Sequence, residues 1–461
     1  MLNRIEARNF KSFKHLDYKC AKLNLLTGLN GAGKSSFVQL MLKLRALSTR
    51  GSKAQVEIDL KAGRIANKFA DIKYCYAGKD EPIMFDVEFI GSSCVDKYVV
   101  MESQTSRNVS RVVTESASSP NNILVWHPEA FEAYKQYMTK RCNLQHDLEG
   151  EKIDYDKFWD LDHEIESALK AKFDRIEKGE KQIQDEYEGL WRRMRFIEAF
   201  RKRPQEVHGG RDMPQSMMWV ISNDVRFDPE GGDIAEFLYK YGKSLKLLER
   251  NPLVHPKSIL SPSSCGLMNE GKESALIEQV NAWLGEISPE AKFCVERYDV
   301  GDDEEFVVKI CFGDEEAFKP QNVGLGISYV LPVLGTILTA WSTSIIIIEN
   351  PEAHIHPKGQ AKLGELIARA AAYGVQVFVE THSDHVINGV RVAVRDGILK
   401  PEDVNIAFFE RKEHLKDDAK DSDDTEIYSE IRNIKVDVNG SLSEYPEDFM
   451  DEWNNQLLEL M

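Results

Sequence analysis

A run of four isoleucines ends on a carboxylate and an amide: residues 345–360 read IIIIENPEAHIHPKGQ. A continuous β-branched run of this length predicts a strand buried on both faces, so Glu349 emerges at the rim of a sheet. A carboxylate there can hold a divalent cation through water. The next residue, Asn350, can orient a water by hydrogen bonds but cannot accept its proton near neutral pH. Glu352, two residues on, can. Such a pair needs a partner site that binds phosphate, and the chain supplies one.

The stretch TGLNGAGKSS (27–36) satisfies GxxxxGK[ST] with Gly28, Gly33, Lys34 and Ser35. Glycines let backbone N–H groups turn inward around a β-phosphate, and the following helix N-terminus adds partial positive charge. Lys34 reaches the β/γ-phosphates and the Ser35 hydroxyl is a magnesium ligand. Asn30, Gly31, Ala32 and Ser36 complete the cradle. An apolar strand, LNLLT, precedes the loop and FVQLMLKLRAL follows as a helix, which sets it apart from a structural glycine turn. ATP and Mg2+ are the ligands this implies. A further apolar run, VQVFVETHSDH, places His382 at another strand end. Glu380, Asp384 and His385 lie near it in sequence, and His354 and His356 follow the first strand, so a metal cluster is an alternative reading of these residues.

The elements that must position these residues are legible in outline. The first segment alternates in a strand-like way over Leu2–Phe13, and residues 55–115 carry short alternating runs such as IMFDVEFI, predicting antiparallel strands. From Pro128 to Phe200 the texture becomes charged. Apolar residues from Ile165 through Met194 to Ile197 recur at three, four and seven, predicting a helix of about 50 Å if unbroken at Gly179. Residues 201–265 are rich in Pro and Gly turns. FCVERYDV and EFVVKICF predict a hairpin around Gly301–Glu304, a helix is expected over Lys358–Tyr373, and acidic DDAKDSDDTE (417–426) is read as a solvated loop. The expected division is an N-terminal lobe at 1–118, a helical and loop-rich insertion at 119–290, and a C-terminal lobe at 291–461.

Composition narrows the function classes. The 461 residues, 42% hydrophobic and 29% charged, suit a globular protein with a sizeable core. No apolar run reaches the roughly 18 residues needed to span a bilayer, and the polar N-terminus is no signal peptide. Seven cysteines without a CxxC pair fit reduced, cytoplasmic thiols. A net charge of −17 is the reverse of a nucleic-acid binder's usual balance. The basic residues Arg192, Arg193, Arg195, Arg201, Lys202 and Arg203 could form a DNA-binding patch; a solvated helix face fits the overall charge better.

RNFKSF followed by TGLNGAGKSS resembles the RecF, OLD and SMC-type ATPases, the ABC-like branch of P-loop proteins. NVGLGISYVLPVL is similar to the signature segment of a standalone RecF/OLD-like family with a C-terminal domain of unknown function, found in bacterial anti-phage defence operons. ENPEAHIHPKGQ, VETHSDHVINGVR and DVNGSLSEYPEDFMDE follow in that family's order. The resemblance covers roughly residues 1–45 and 320–450. It implies an α/β ABC-type head, a mixed sheet with flanking helices and an inserted helical arm. It also implies a homodimer or higher oligomer in which two heads sandwich ATP, with Gly324, Gly326 and Ser328 of one head closing over the other's γ-phosphate. The usual Ser-Gly-Gly order is missing there. His382 matches the switch histidine, Glu349 the magnesium carboxylate and Asn350 the usual base position, where this family also carries Asn. Catalysis would then rest on Glu349, Glu352 and His382, as a slow, regulated ATPase. OLD relatives carry a C-terminal nuclease; roughly 80 residues follow His382, fewer than a typical domain, so an effector is expected to be a separate protein. The alternative is a RecF-like repair ATPase that binds DNA; neither reading involves a membrane.

Overall fold

Alternation over the first hundred residues and unbroken apolar runs after residue 340 produce two different sheets. The computed structural model describes residues 1–48, 56–59, 71–78, 81–90, 95–102, 109–115, 194–197, 207–208, 234–258, 260–262, 272–300, 303–313, 317–319, 322–415 and 425–461. In chain order the elements begin with β1 (Leu2–Phe10), β2 (Phe13–Lys19), β3 (Leu23–Gly28), α1 (Lys34–Ser48), β4 (Val56–Asp59), β5 (Ile83–Phe89), β6 (Val95–Glu102) and β7 (Val109–Glu115). There follow β8 (Met194–Ile197), β9 (Val207–His208), α2 (Ile234–Tyr241), β10 (Lys246–Leu248), β11 (Ser261–Pro262), β12 (Lys272–Ala275) and α3 (Leu276–Ile287). The last are β13 (Ala291–Val300), β14 (Asp303–Phe312), α4 (Leu325–Leu338), β15 (Ile345–Glu349), α5 (Pro357–Tyr373), β16 (Gln376–Glu380), α6 (Asp384–Arg395), β17 (Val404–Leu415), β18 (Thr425–Ile434) and α7 (Glu452–Glu459).

Two compact units form, and they do not follow chain order. One comprises Met1, Lys19–Val38 and Arg192–Met461; the other comprises Leu2–Tyr18 and Gln39–Trp191. The second holds a six-stranded sheet of order β2-β1-β5-β6-β7-β4, whose β1–β5, β5–β6, β6–β7 and β4–β7 pairs are antiparallel. Its alternation is visible in β5, where Ile83, Phe85, Val87 and Phe89 are buried and the residues between them half-buried. Phe10 and Phe85 meet edge-on at 5.4 Å between ring centroids.

The first unit carries the sheet that matters for the site, of order β18-β17-β3-β16-β15-β8. The β17–β3, β3–β16, β16–β15 and β15–β8 pairs are parallel, and β18 joins β17 antiparallel at one edge. The sheet is therefore mixed, and helices pack on it through one apolar core that includes Leu23, Leu25, Ile346, Ile348, Val377, Val379, Leu363 and Val390. Strands covered on both faces read as continuous apolar runs, which is why IIIIE and QVFVE stand out in the sequence. Helix α5 begins as expected: His356 caps it by accepting the Lys358 N–H, Pro357 opens its first turn, and Gly374 ends it in the left-handed region. β13 and β14 form the expected hairpin.

Two expectations fail where they can be checked. Met194 and Ile197, the last positions of the supposed helical stripe, lie in strand β8 beside β15, with both side chains buried. Three-and-four spacing over a charged segment does not exclude a short buried strand at its end. Arg195 on that strand is 3% exposed, and its guanidinium donates to the Thr336 carbonyl at 3.0 Å and the Thr339 hydroxyl at 2.7 Å. It is a core residue rather than part of a solvated face. The rest of the predicted arm lies outside the described residues. Likewise Thr425 and Glu426, read as solvated loop, open strand β18, and Glu426 is buried; residues 417–424 lie outside the described set.

Candidate functional site

In parallel α/β sheets, ligands gather outside the carboxyl ends of the strands. Here those ends are Gly28 of β3, Glu380 of β16 and Glu349 of β15. The loop after β3 has Gly28, Gly31 and Gly33 at φ 128°, 78° and 111°, a region side chains other than Asn and Asp rarely adopt. With helix α1 starting at Lys34, its N–H groups are free to face an anion. The Lys34 side chain is 4% exposed and donates to the Gly28 carbonyl at 2.7 Å and the Leu29 carbonyl at 2.8 Å. Burial holds its ammonium below the usual lysine range, opposed by the Glu380 charge. An ammonium that has given up water but keeps two weak carbonyl partners can exchange them for phosphate oxygens.

The strand beside β3 is β16, and β15 lies one strand farther out. Glu380 and Glu349 are register partners at the ends of these strands. The Ser35 hydroxyl donates to the Glu380 carboxylate at 3.2 Å. Glu380 is buried, and desolvation pushes its carboxyl above the usual range, against the pull of Lys34 and the Ser35 hydrogen bond. Sequence reading placed Glu380 near the site but gave it no role; its signal was a charged residue ending an otherwise apolar strand.

Around the β15 exit, Asn350 sits at φ 42° and its N–H donates to the Glu380 carbonyl at 2.8 Å, tying the two strand ends together. Glu352 accepts the His382 backbone N–H on Oε1 at 3.0 Å, while its Oε2 is buried with no hydrogen-bond partner among the described residues. The His382 imidazole reaches solvent, yet its surroundings and then the Lys34 charge hold it below the ordinary histidine value, against the pull of Glu352. Glu352, His382, Glu380, Lys34 and Ser35 are thus brought together at one end of the sheet. His354 packs edge-on against Tyr329 at 5.1 Å, and His356 caps α5.

In the signature segment Ser328 is 1% exposed, and its hydroxyl is buried in its own unit with no hydrogen-bond partner among the described residues. A methyl group at Gly326 would collide with the His354 carbonyl; this glycine lets α4 approach the β15 loop. Gly324 caps α4, is exposed, and has open space around it. Gly326→Ala is expected to destabilise the fold by about 1–3 kcal/mol through overpacking, read as a lower unfolding midpoint; an unchanged midpoint would refute the close contact.

Magnesium keeps several waters and takes one or two protein oxygens plus phosphate oxygens. The Ser35 hydroxyl, with Glu380 and Glu349 behind it, is a hard-oxygen set that fits. Among the described residues no group of three or more His, Cys, Asp or Glu side chains is placed to hold a metal by itself.

Three family models match the chain. Residues 1–202 match "AAA ATPase domain", 296–388 match "AAA domain, putative AbiEii toxin, Type IV TA system", and 399–460 match "Protein of unknown function (DUF3696)". The first two span the phosphate loop and the Glu349–His382 region. The chain thus matches AAA-type ATPase domain models over its two site-bearing segments. Among solved structures, the chain is similar to the Smc head domain with an extended coiled coil bound to the C-terminal domain of ScpA derived from Pyrococcus furiosus. That likeness has 11% identity and a TM-score of 0.40, over 93% of this chain and 96% of that one. The SMC head domain from Thermotoga maritima gives 10% identity and a TM-score of 0.35, over 88% and 94%. Likenesses at this level carry no inference about activity. No curated protein matches the sequence. Among the described residues no helix is long and apolar enough to cross a membrane.

Proposed function

We propose that the protein is a slow, regulated Mg-ATP hydrolase whose nucleotide-driven association of two heads controls a separate effector in bacterial anti-phage defence. The observation that carries the slow turnover is the Glu352 carboxylate: a proton acceptor beside the switch histidine, with its unpartnered oxygen masked from solvent. Asn350 cannot substitute for it as a base. In this reading Lys34 would bind the β/γ-phosphates, and Ser35 and Glu349 would hold magnesium, which would supply charge neutralisation at the phosphates. Glu352 accepts the proton of the attacking water once closure exposes it, and His382 contacts the γ-phosphate. The toxin-system name of the family matched at 296–388 supports a defence setting.

Assembly is tested at Gly324. A side chain fits there without disturbing the fold, whereas one at Ser328 would be forced into the core. Gly324→Arg is expected to abolish nucleotide-dependent association in light scattering while ATP still binds. Unchanged association would refute a sandwich closed by this helix end. The DNA-repair reading is weakened because Arg195, one of its six basic residues, is buried. Affinity for DNA that falls linearly with log salt would revive it.

A further inference from the structure

Glu380 is placed where the carboxylate partner of a phosphate-loop serine should be, on a strand where sequence reading put only the switch histidine. Neighbouring strands lie about 4.8 Å apart, so the end of β15 is roughly 10 Å from that of β3, and the end of β16 half as far. Glu349 can act across that distance only through water. Glu380, one strand away, touches Ser35 directly at 3.2 Å.

A hydroxyl has one proton to donate and two lone pairs to offer. To ligate a cation, Ser35 must turn a lone pair toward it and its proton elsewhere. An ionised carboxylate accepts only, so it fixes that rotamer. We propose that Glu380 is the positioning residue for magnesium in this site: it takes the Ser35 proton, turns the serine lone pairs to the metal, and leaves Glu349 to the outer water shell. Its own position is over-determined. The Glu380 carbonyl accepts the Asn350 N–H, the Thr381 N–H donates to the Leu26 carbonyl at 3.0 Å, and Glu380 pairs in register with Leu26 on one side and Glu349 on the other. The carboxylate is 6% exposed, so water competes poorly for it. Lys34 and Glu352 are the charged groups acting on it, of opposite sign.

This rests on the reading of residues 28–36 as a phosphate loop, and the test separates the two. A fluorescent, non-hydrolysable ATP analogue is titrated in EDTA and then, at fixed concentration, with Mg2+. Glu380→Gln is nearly isosteric, removes a buried charge and is expected to fold with an unfolding midpoint at or above wild type. Its affinity in EDTA should match wild type within about twofold, while the Mg2+ midpoint rises about tenfold or more, as for other residues that orient metal ligands. In a Ser35→Ala background the same change should shift the midpoint no further. Glu380→Asp keeps the charge but withdraws it by one methylene, and should give a smaller shift in the same direction. A Mg2+ midpoint unchanged in both Glu380 variants, or a full shift without Ser35, overturns the proposal. Failure of the wild-type protein to bind the analogue overturns the phosphate loop itself.

Discussion

Replacing Lys34 with alanine abolishes the stabilisation that Mg-ATP confers on the wild-type protein. Charge-assisted hydrogen bonds to phosphate are worth about 1.5–3 kcal/mol each, so losing the contacts to two phosphates weakens binding by over about a hundredfold. A ligand at 100 times its dissociation constant stabilises by about 2.7 kcal/mol, an effect that vanishes when affinity falls that far. The unliganded fold should change much less. The variant loses two hydrogen bonds to the Gly28 and Leu29 carbonyls but also a buried ammonium whose charge desolvation disfavours. Differential scanning fluorimetry with and without Mg-ATP reads both quantities. Equal shifts in variant and wild type would remove Lys34 from the site.

Lys34 was legible in the sequence because a phosphate loop is local: strand, glycines, lysine and helix lie within about twenty residues, so spacing carries the geometry. Glu349 and His382 were legible for a related reason, as polar residues that end apolar runs. Strand order was not. Nothing in IIIIE or QVFVE says which lies beside β3, and that alone decides whether Glu380 or Glu349 reaches Ser35. Ser328 and Arg195 went astray through the same gap. A serine near glycines and an arginine among arginines look exposed, yet α4 turns the first into the core and β8 carries the second there. β17 and β18 escaped notice because the apolar run IAFF (406–409) of β17 gives way at once to charged ERKEH, and β18 carries no such run. Their pairing, over Ile406–Leu415 with Thr425–Ile434, is a tertiary fact.

Glu352→Gln should leave nucleotide binding intact and lower turnover about a hundredfold, the usual cost of losing a general base. Glutamine is the discriminating choice, because its carbonyl oxygen can still accept the His382 N–H that Oε1 now takes. Loop geometry survives and only proton acceptance is lost. Glu352→Ala removes both, so it should also displace His382 and weaken γ-phosphate sensing, seen as a smaller preference for ATP over ADP. Asn350→Glu tests the same assignment from the other side. It places an acid at that position, yet residue 350 is held at φ 42°, where Asn is tolerated several-fold better than most side chains. The strand-end bond from its N–H to Glu380 depends on that conformation. A glutamate should therefore strain the loop by about 1 kcal/mol, lower the unfolding midpoint and fail to raise turnover. Single-turnover hydrolysis with saturating Mg-ATP distinguishes the outcomes. If Asn350→Glu hydrolyses faster while Glu352→Gln matches wild type, position 350 aims the water and Glu352 is not the base.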